Sequence, residues 1–145
     1  MALENAQRLF ERFDHLYRGQ HLPLTQNLMS DGFDCGDGWY DLLYELSAQL
    51  EAYCQEHLEA DTLIAVQVKQ KFGELRFYVN PYMPVAQRMI DVVTEKSRQT
   101  CELTGQPGTK CSRQGYYRTL SVEKAQALGF TSVQSPSEQD PSGQT

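Results

Sequence analysis

No stretch of 18 apolar residues occurs in this 145-residue chain, which excludes a helix that crosses a membrane. Neither the Gly-x-x-x-x-Gly-Lys-Ser/Thr pattern nor a Gly-x-Gly-x-x-Gly after a strand is present, so the two common phosphate-binding loops are excluded. The opening residues hold no basic segment followed by an apolar one, and no secretory signal is expected. Cysteine is sparse, at four, and without such a signal these should be reduced thiols in a cytosol. Ten glycines and six prolines are too few for a collagen-like or low-complexity chain. The most unusual absence is that of basic residues between 19 and 68. That block carries nine acids (Asp31, Asp34, Asp37, Asp41, Glu45, Glu51, Glu56, Glu59 and Asp61) and not one Lys or Arg. Residues 69–118 reverse the balance, with nine bases against four acids, inside a net charge of −6. Such asymmetry marks either an interaction surface or two blocks that fold together and neutralise each other.

What is present suits an ordinary globular domain, with 40% hydrophobic and 22% charged residues. Residues 2–17 space Leu9, Phe10, Phe13, Leu16 and Tyr17 along one helical face, and Gly19 follows as a terminator. Residues 20–36 read as a long connecting loop, often functional or mobile in a compact domain. Asp37 is an N-cap candidate for a helix to about residue 58. Its apolar stripe is Trp39, Leu42, Leu43, Leu46, Leu50, Tyr53 and Cys54. Asp41, Glu45, Glu56 and Glu59 gather on the opposite side with Asp37 at its edge, and Tyr40 and Tyr44 flank the stripe. Residues 62–69 (Ile64, Val66 and Val68 on one side) and 74–79 (Leu75, Phe77 and Val79) alternate as strands around a turn at Gln70–Gly73. Pro84 opens a helix to about residue 99, with a face of Val85, Met89, Val92, Val93 and Lys96. Residues 101–108 are turn-rich, 116–120 suit a short strand, and Ser121 caps a last helix closed by Gly129.

Three groups of residues carry a resemblance: Cys35-Gly-Asp-Gly-Trp39; Gln67-Val-Lys-Gln-Lys-Phe-Gly-Glu-Leu-Arg-Phe-Tyr78; and Thr100-Cys-Glu102 with Gly105, Gly108 and Tyr117-Arg-Thr-Leu120. Over roughly residues 30–125 the chain resembles a family of small proteins encoded by bacteriophages and prophages. The resemblance implies a phage origin and the host cytoplasm, and no particular activity. Many members resemble one another in a C-terminal zinc ribbon. Here Cys101 matches the first ligand, but Thr104, Ser121 and Lys124 stand at the other three, and a Lys ammonium is not a zinc ligand. No metal and no cofactor are expected, and packing of Tyr116, Tyr117 and Leu120 should hold the ribbon's outline. The expected fold class is α+β: two N-terminal helices, a β-hairpin, a third helix and a small metal-free ribbon-like C-terminal piece. One domain should span residues 1–130, with a disordered tail over 131–145.

No catalytic residues are assigned. Cys54 and His57, three apart on a helix, read as a buried thiol and a surface imidazole. Cys35 sits beside Asp34 and Asp37, whose charges disfavour a thiolate. The acidic helix is the leading binding surface. Its carboxylates present negative charge at spacings like those of phosphates, and Asp37, Trp39, Tyr40, Asp41, Tyr44, Glu45, Glu56 and Glu59 are the expected partner-binding residues. A host protein with a basic surface, such as a defence nuclease complex inhibited by DNA-like mimicry, is the expected partner of this non-enzymatic protein. The alternative is a nucleic-acid-binding accessory module using Lys69, Lys71, Arg76 and Tyr78 of the hairpin, with Lys110, Arg113 and Arg118 further on. A virion component is a third class, and exposed strand edges at 62–79 leave room for a homodimer through sheet pairing.

Overall fold

A computed structural model describes residues 1–57 and 62–133. It is a mixed α+β fold with four α-helices among the described residues and two small sheets. Helix α1 (Leu3–Arg12) is shorter than its apolar periodicity predicts. The backbone leaves the helix at Phe13, and the carbonyl of Leu16 accepts the N–H of Ala65 at 2.9 Å. Leu16 and Tyr17 therefore remain buried on non-helical backbone, which is why the periodicity runs on past the helix end.

The predicted loop is built into the core. It makes two 3₁₀ turns (Arg18–His21 and Met29–Asp31) and a short strand β1 (Phe33–Asp34). Asn27 is buried, donating from Nδ2 to the Ala65 carbonyl and accepting the Met29 N–H at Oδ1, so no polar atom is stranded as Met29 enters the core. Strand β1 lies parallel to β2 (Ile64–Lys71), which pairs antiparallel with β3 (Glu74–Asn80), so the hairpin gains a third strand. A bulge between Ala65 and Gln67 shifts the alternation. Val68 is buried as predicted, but Ala65 faces the core in place of the predicted Ile64 and Val66, which are half-buried. The turn is two residues, Phe72 and Gly73, with φ of 55° and 85°, the backbone of a type I′ hairpin. Strands β1 and β3 are the two edges of this sheet, and β3 is the longer one available for sheet pairing with a second copy.

Helices α2 (Tyr40–His57) and α3 (Pro84–Ser97) pack on each other and on this sheet. The buried residues of α3 are Ala86, Ile90, Val93 and Ser97, whereas Val92 is exposed, so its core face is rotated from the predicted one. The Ser97 hydroxyl bridges helix to sheet, accepting from Leu75 N at 3.0 Å and donating to the Thr94 carbonyl.

The second sheet has the order β5-β4-β6, from β4 (Thr109–Arg113), β5 (Tyr116–Leu120) and β6 (Thr131–Ser132), with α4 (Val122–Leu128) between the last two. Sequence reading missed β4 and β6. Ser121 Oγ accepts Lys124 N, and Gly129 closes α4 at φ 77°, both as predicted. Strand β6 and the Val133 N–H bond to the Lys110 carbonyl carry the fold past the predicted boundary at residue 130. Residues 134–145 of the predicted tail lie outside the described residues. A separate cluster of Cys101, Cys111, Leu120, Ala125 and Phe130 forms the core here. Tyr116 is exposed and Tyr117 only half-buried, so of the three predicted packing residues Leu120 alone is buried.

Between the two cores runs a polar seam. The Glu102 carboxylate, buried, accepts Gly36 N at 2.9 Å and Arg118 Nε at 3.0 Å. The Glu102 carbonyl accepts Gly38 N at 2.7 Å, and Trp39 Nε1 donates to the Thr100 carbonyl at 2.9 Å. A Cβ on Gly38 would collide with the Cys101 carbonyl oxygen and lie 2.6 Å from the Glu102 carbonyl carbon, backbone atoms with no room to move. Gly38→Ala should therefore destabilise by about 1–3 kcal/mol or more. Its urea midpoint should fall well below that of the parent, and an unchanged midpoint would show that the seam tolerates separation.

Candidate functional site

The described acids of the predicted ridge, Asp37, Asp41, Glu45 and Glu56, are exposed, while its aromatic residues are drawn into the fold to differing degrees. Trp39 is fully buried in the main core and cannot anchor a partner. Tyr40 is half-buried against that core, and Tyr44 packs edge-on to Phe13 at 5.0 Å while remaining partly exposed. Glu45 is paired to Lys96 of α3 at 3.2 Å, so the acidic block folds against the basic block at this point. Asp41 and Glu56 are exposed, Glu56 standing 3.7 Å from His57; Glu59 lies outside the described residues. Glu51, between the ridge and the core, has a buried Oε2 without a hydrogen-bond partner, and burial followed by the Asp14 charge raises its pKa.

Asp37 does not cap α2; its neighbour Gly36 precedes the 3₁₀ turn Asp37–Trp39 that leads into that helix. Its Oδ1 instead accepts Ala2 N at 2.8 Å and Asn5 Nδ2 at 3.0 Å, serving the N-terminus of α1, which has no side-chain cap of its own. These two bonds hold the carboxyl below the usual carboxylate range.

No nucleophile emerges from the cysteines, which are free and buried. Burial, then Glu102, pushes the Cys35 thiol up to about 12, and burial raises Cys54 as well. At the ribbon positions, burial raises Cys101, but the Thr104 hydroxyl and the amides of Ser121, Leu103 and Thr104 donate to its sulfur and hold it below the ordinary thiol range. Lys124 gives its amide to Ser121 Oγ. This donor set does not fit a zinc ion: one thiol saturated by hydrogen bonds, two hydroxyls and a lysine. Among the described residues no group of three or more His, Cys, Asp or Glu could hold a metal.

The hairpin residues divide. Lys69 stands in register between Asp34 on β1 and Arg76 on β3, and Arg76 pairs with Glu74 at 3.0 Å, so the middle of this face alternates in sign. Tyr78 is exposed but five residues beyond Gly73, about 17 Å along the strand. Lys71 lies at the tip, where the fold adds residues from the second sheet. Thr119 Oγ1 donates to the Gly73 carbonyl at 2.5 Å, holding the hairpin turn against β5. Phe72 then sits edge-on to Tyr117, with ring centroids 6.5 Å apart. Lys71 Nζ stands 5.6 Å from the Phe72 centroid, and Lys110 Nζ 4.9 Å from that of Tyr117. A shallow hollow of about 220 Å³ opens between the tips, lined by Lys69, Gln70, Lys71, Phe72, Gly115, Tyr116 and Tyr117. Its only charged lining residues are lysines. It is smaller than the usual pocket for a drug-sized ligand, and suits a flat group laid against rings.

Phe72 was legible only as part of a turn. The signal that singles it out is a bulky residue at the left-handed position where Asn or Gly is preferred, a placement costing about 1 kcal/mol or more. Lys110, Tyr116 and Tyr117 join the site through long-range contacts, Thr119 with Gly73, Gln70 with Tyr116 and Phe72 with Tyr117, which no local pattern encodes.

No protein-family model, no curated protein and no solved structure matches this chain.

Because Asp37 has a depressed pKa in the fold, its stabilisation is present above the ordinary carboxylate pKa and is lost as the pH falls through the lowered value. Asp37→Asn should lower the melting temperature at neutral pH, with the gap to the parent closing in acid. A gap independent of pH would show that the charge does not hold α1.

Proposed function

We propose that this chain is a non-enzymatic binding protein, an accessory module of a bacteriophage or prophage in the host cytoplasm, and that it holds nucleic acid on the basic, aromatic face at the hairpin tips. In this reading the second sheet is the metal-free remnant of a ribbon, kept as the platform's second wall. The supporting observation is the hollow itself: lysines and aromatic rings converge there from two sheets, and no carboxylate lines it. Lysines neutralise backbone phosphates, releasing counterions, while rings offer stacking surfaces to bases. The net charge of −6 repels nucleic acid at long range, so binding depends on this local patch and weakens steeply with salt.

A second reading keeps the acidic side as a surface for a basic host protein, in the manner of a DNA-mimicking inhibitor of host defence. Its support is the exposure of Asp41, Glu56 and part of Tyr44 on α2. A pull-down from bacterial lysate separates the two, since this reading requires a salt-sensitive basic protein lost on Asp41→Lys with Glu56→Lys.

For the leading reading, the double variant Lys71→Glu, Lys110→Glu should weaken oligonucleotide binding about tenfold or more in fluorescence anisotropy at low salt, with its circular dichroism and melting temperature unchanged. Undiminished binding by a folded double variant would refute it.

A further inference from the structure

We infer that this face selects an unpaired, single strand, whose bases stack on Phe72 and the Tyr116–Tyr117 wall while the lysines hold its phosphates; this rests on the nucleic-acid reading above. The first argument is the exposed ring at the turn. Phe72 occupies a left-handed backbone position at φ 55°, followed by Gly73 at φ 85°, where Asn-Gly would be unstrained. The ring is not drawn into a core there: Phe72 is 57% exposed. Tyr116, across the hollow, is 53% exposed, and its hydroxyl reaches the Gln70 amide at 3.4 Å. Two large rings thus stand in solvent on neighbouring tips, one of them at a backbone cost, and neither fills a core.

The second argument is the arrangement of charge around those rings. Lys71 and Lys110 lie against the Phe72 and Tyr117 rings, so each cation marks the rim of an aromatic surface. A flat, neutral group joined to a phosphate fits that pattern, with the ring taking the base and the ammonium the backbone. In a duplex the base faces are already stacked on one another, and only phosphates, sugars and groove edges are offered. A duplex would engage the lysines and leave Phe72 and Tyr116 facing its sugar–phosphate backbone. The described tips also present no helix to enter a groove, only two tight hairpin turns. An unpaired strand is the form of nucleic acid that uses both the rings and the lysines. Either RNA or DNA meets that description.

The test is fluorescence anisotropy of the full chain with labelled oligothymidine, labelled oligouridine, a mixed-sequence duplex and a polyglutamate peptide, at low salt. One or both single strands should bind about tenfold or more tightly than the duplex, and the stronger arm identifies DNA or RNA. Phe72→Asn gives the turn its preferred residue, so it should leave the melting temperature equal or higher while weakening single-strand binding about tenfold. Phe72→Trp should retain binding, and the new exposed indole should be quenched by the single strand. Equal binding of duplex and single strand, unaffected by Phe72→Asn, would overturn the inference and leave the nucleic-acid reading standing. Binding of polyglutamate in preference to every oligonucleotide, or no binding of any nucleic acid, would overturn both.

Discussion

The Glu102 carboxylate is the point on which the rest of the structure depends. It takes the Gly36 amide with one oxygen and the Arg118 guanidinium with the other, at the boundary between two hydrophobic clusters that do not otherwise merge. A buried carboxylate is tolerated only when both oxygens are satisfied and a cation is in contact, and here two distant chain segments, at Gly36 and Arg118, supply those conditions. Because Gly38 has no side chain, the segment carrying Trp39 lies backbone against backbone on residues 101–102. The indole is then close enough to donate to Thr100. The seam sets the second sheet against the first, and the Thr119–Gly73 bond at its far end brings the hairpin tip to β5.

This accounts for the sequence motifs around Cys35–Trp39, Thr100–Glu102 and Tyr117–Leu120. Cys35 to Trp39, Thr100 to Glu102 and Arg118 to Leu120 meet in the seam, and their chemistry is spent on burial, close approach and hydrogen bonding. Gly73 supplies the positive φ of the turn and the carbonyl that Thr119 holds. A motif of this kind specifies how the chain folds and leaves the choice of ligand to the surfaces around it. Cys101 illustrates the same economy: amides and a hydroxyl satisfy its sulfur.

Much of the fold was legible because the segments concerned bury one face at a regular period. The stripe on α2, the alternation on β3, the Ser121 cap and the Gly129 stop are all local patterns with local causes. Failures occurred where a distant partner decides. Helix α1 ends at Arg12, and beyond it the Leu16 carbonyl is bonded by Ala65, a partner far off in sequence. The 20–36 loop reads as polar and irregular, yet Asn27 and Met29 turn it into core. Strand β2 carries a bulge that no count of alternating residues reveals. At the site the difference is sharper. The acidic face and the place of Trp39 on the apolar stripe were both visible in the periodicity, but periodicity does not show that Lys96 neutralises Glu45. Lys71 and Phe72 were legible together at the turn, whereas Tyr116 and Tyr117 lie more than forty positions away and are joined to them only by the fold.

In the proposed function, the seam brings a basic, aromatic face together from two sheets, and that face carries the binding. Amide chemical shifts followed by NMR during titration with a short single-stranded oligonucleotide report it residue by residue. Shifts are expected at Lys71 to Gly73, at Lys110 and at Gly115 to Tyr117, with α1 and α2 unmoved. Shifts absent from both hairpin tips, or centred on α2 or α3, would overturn that reading.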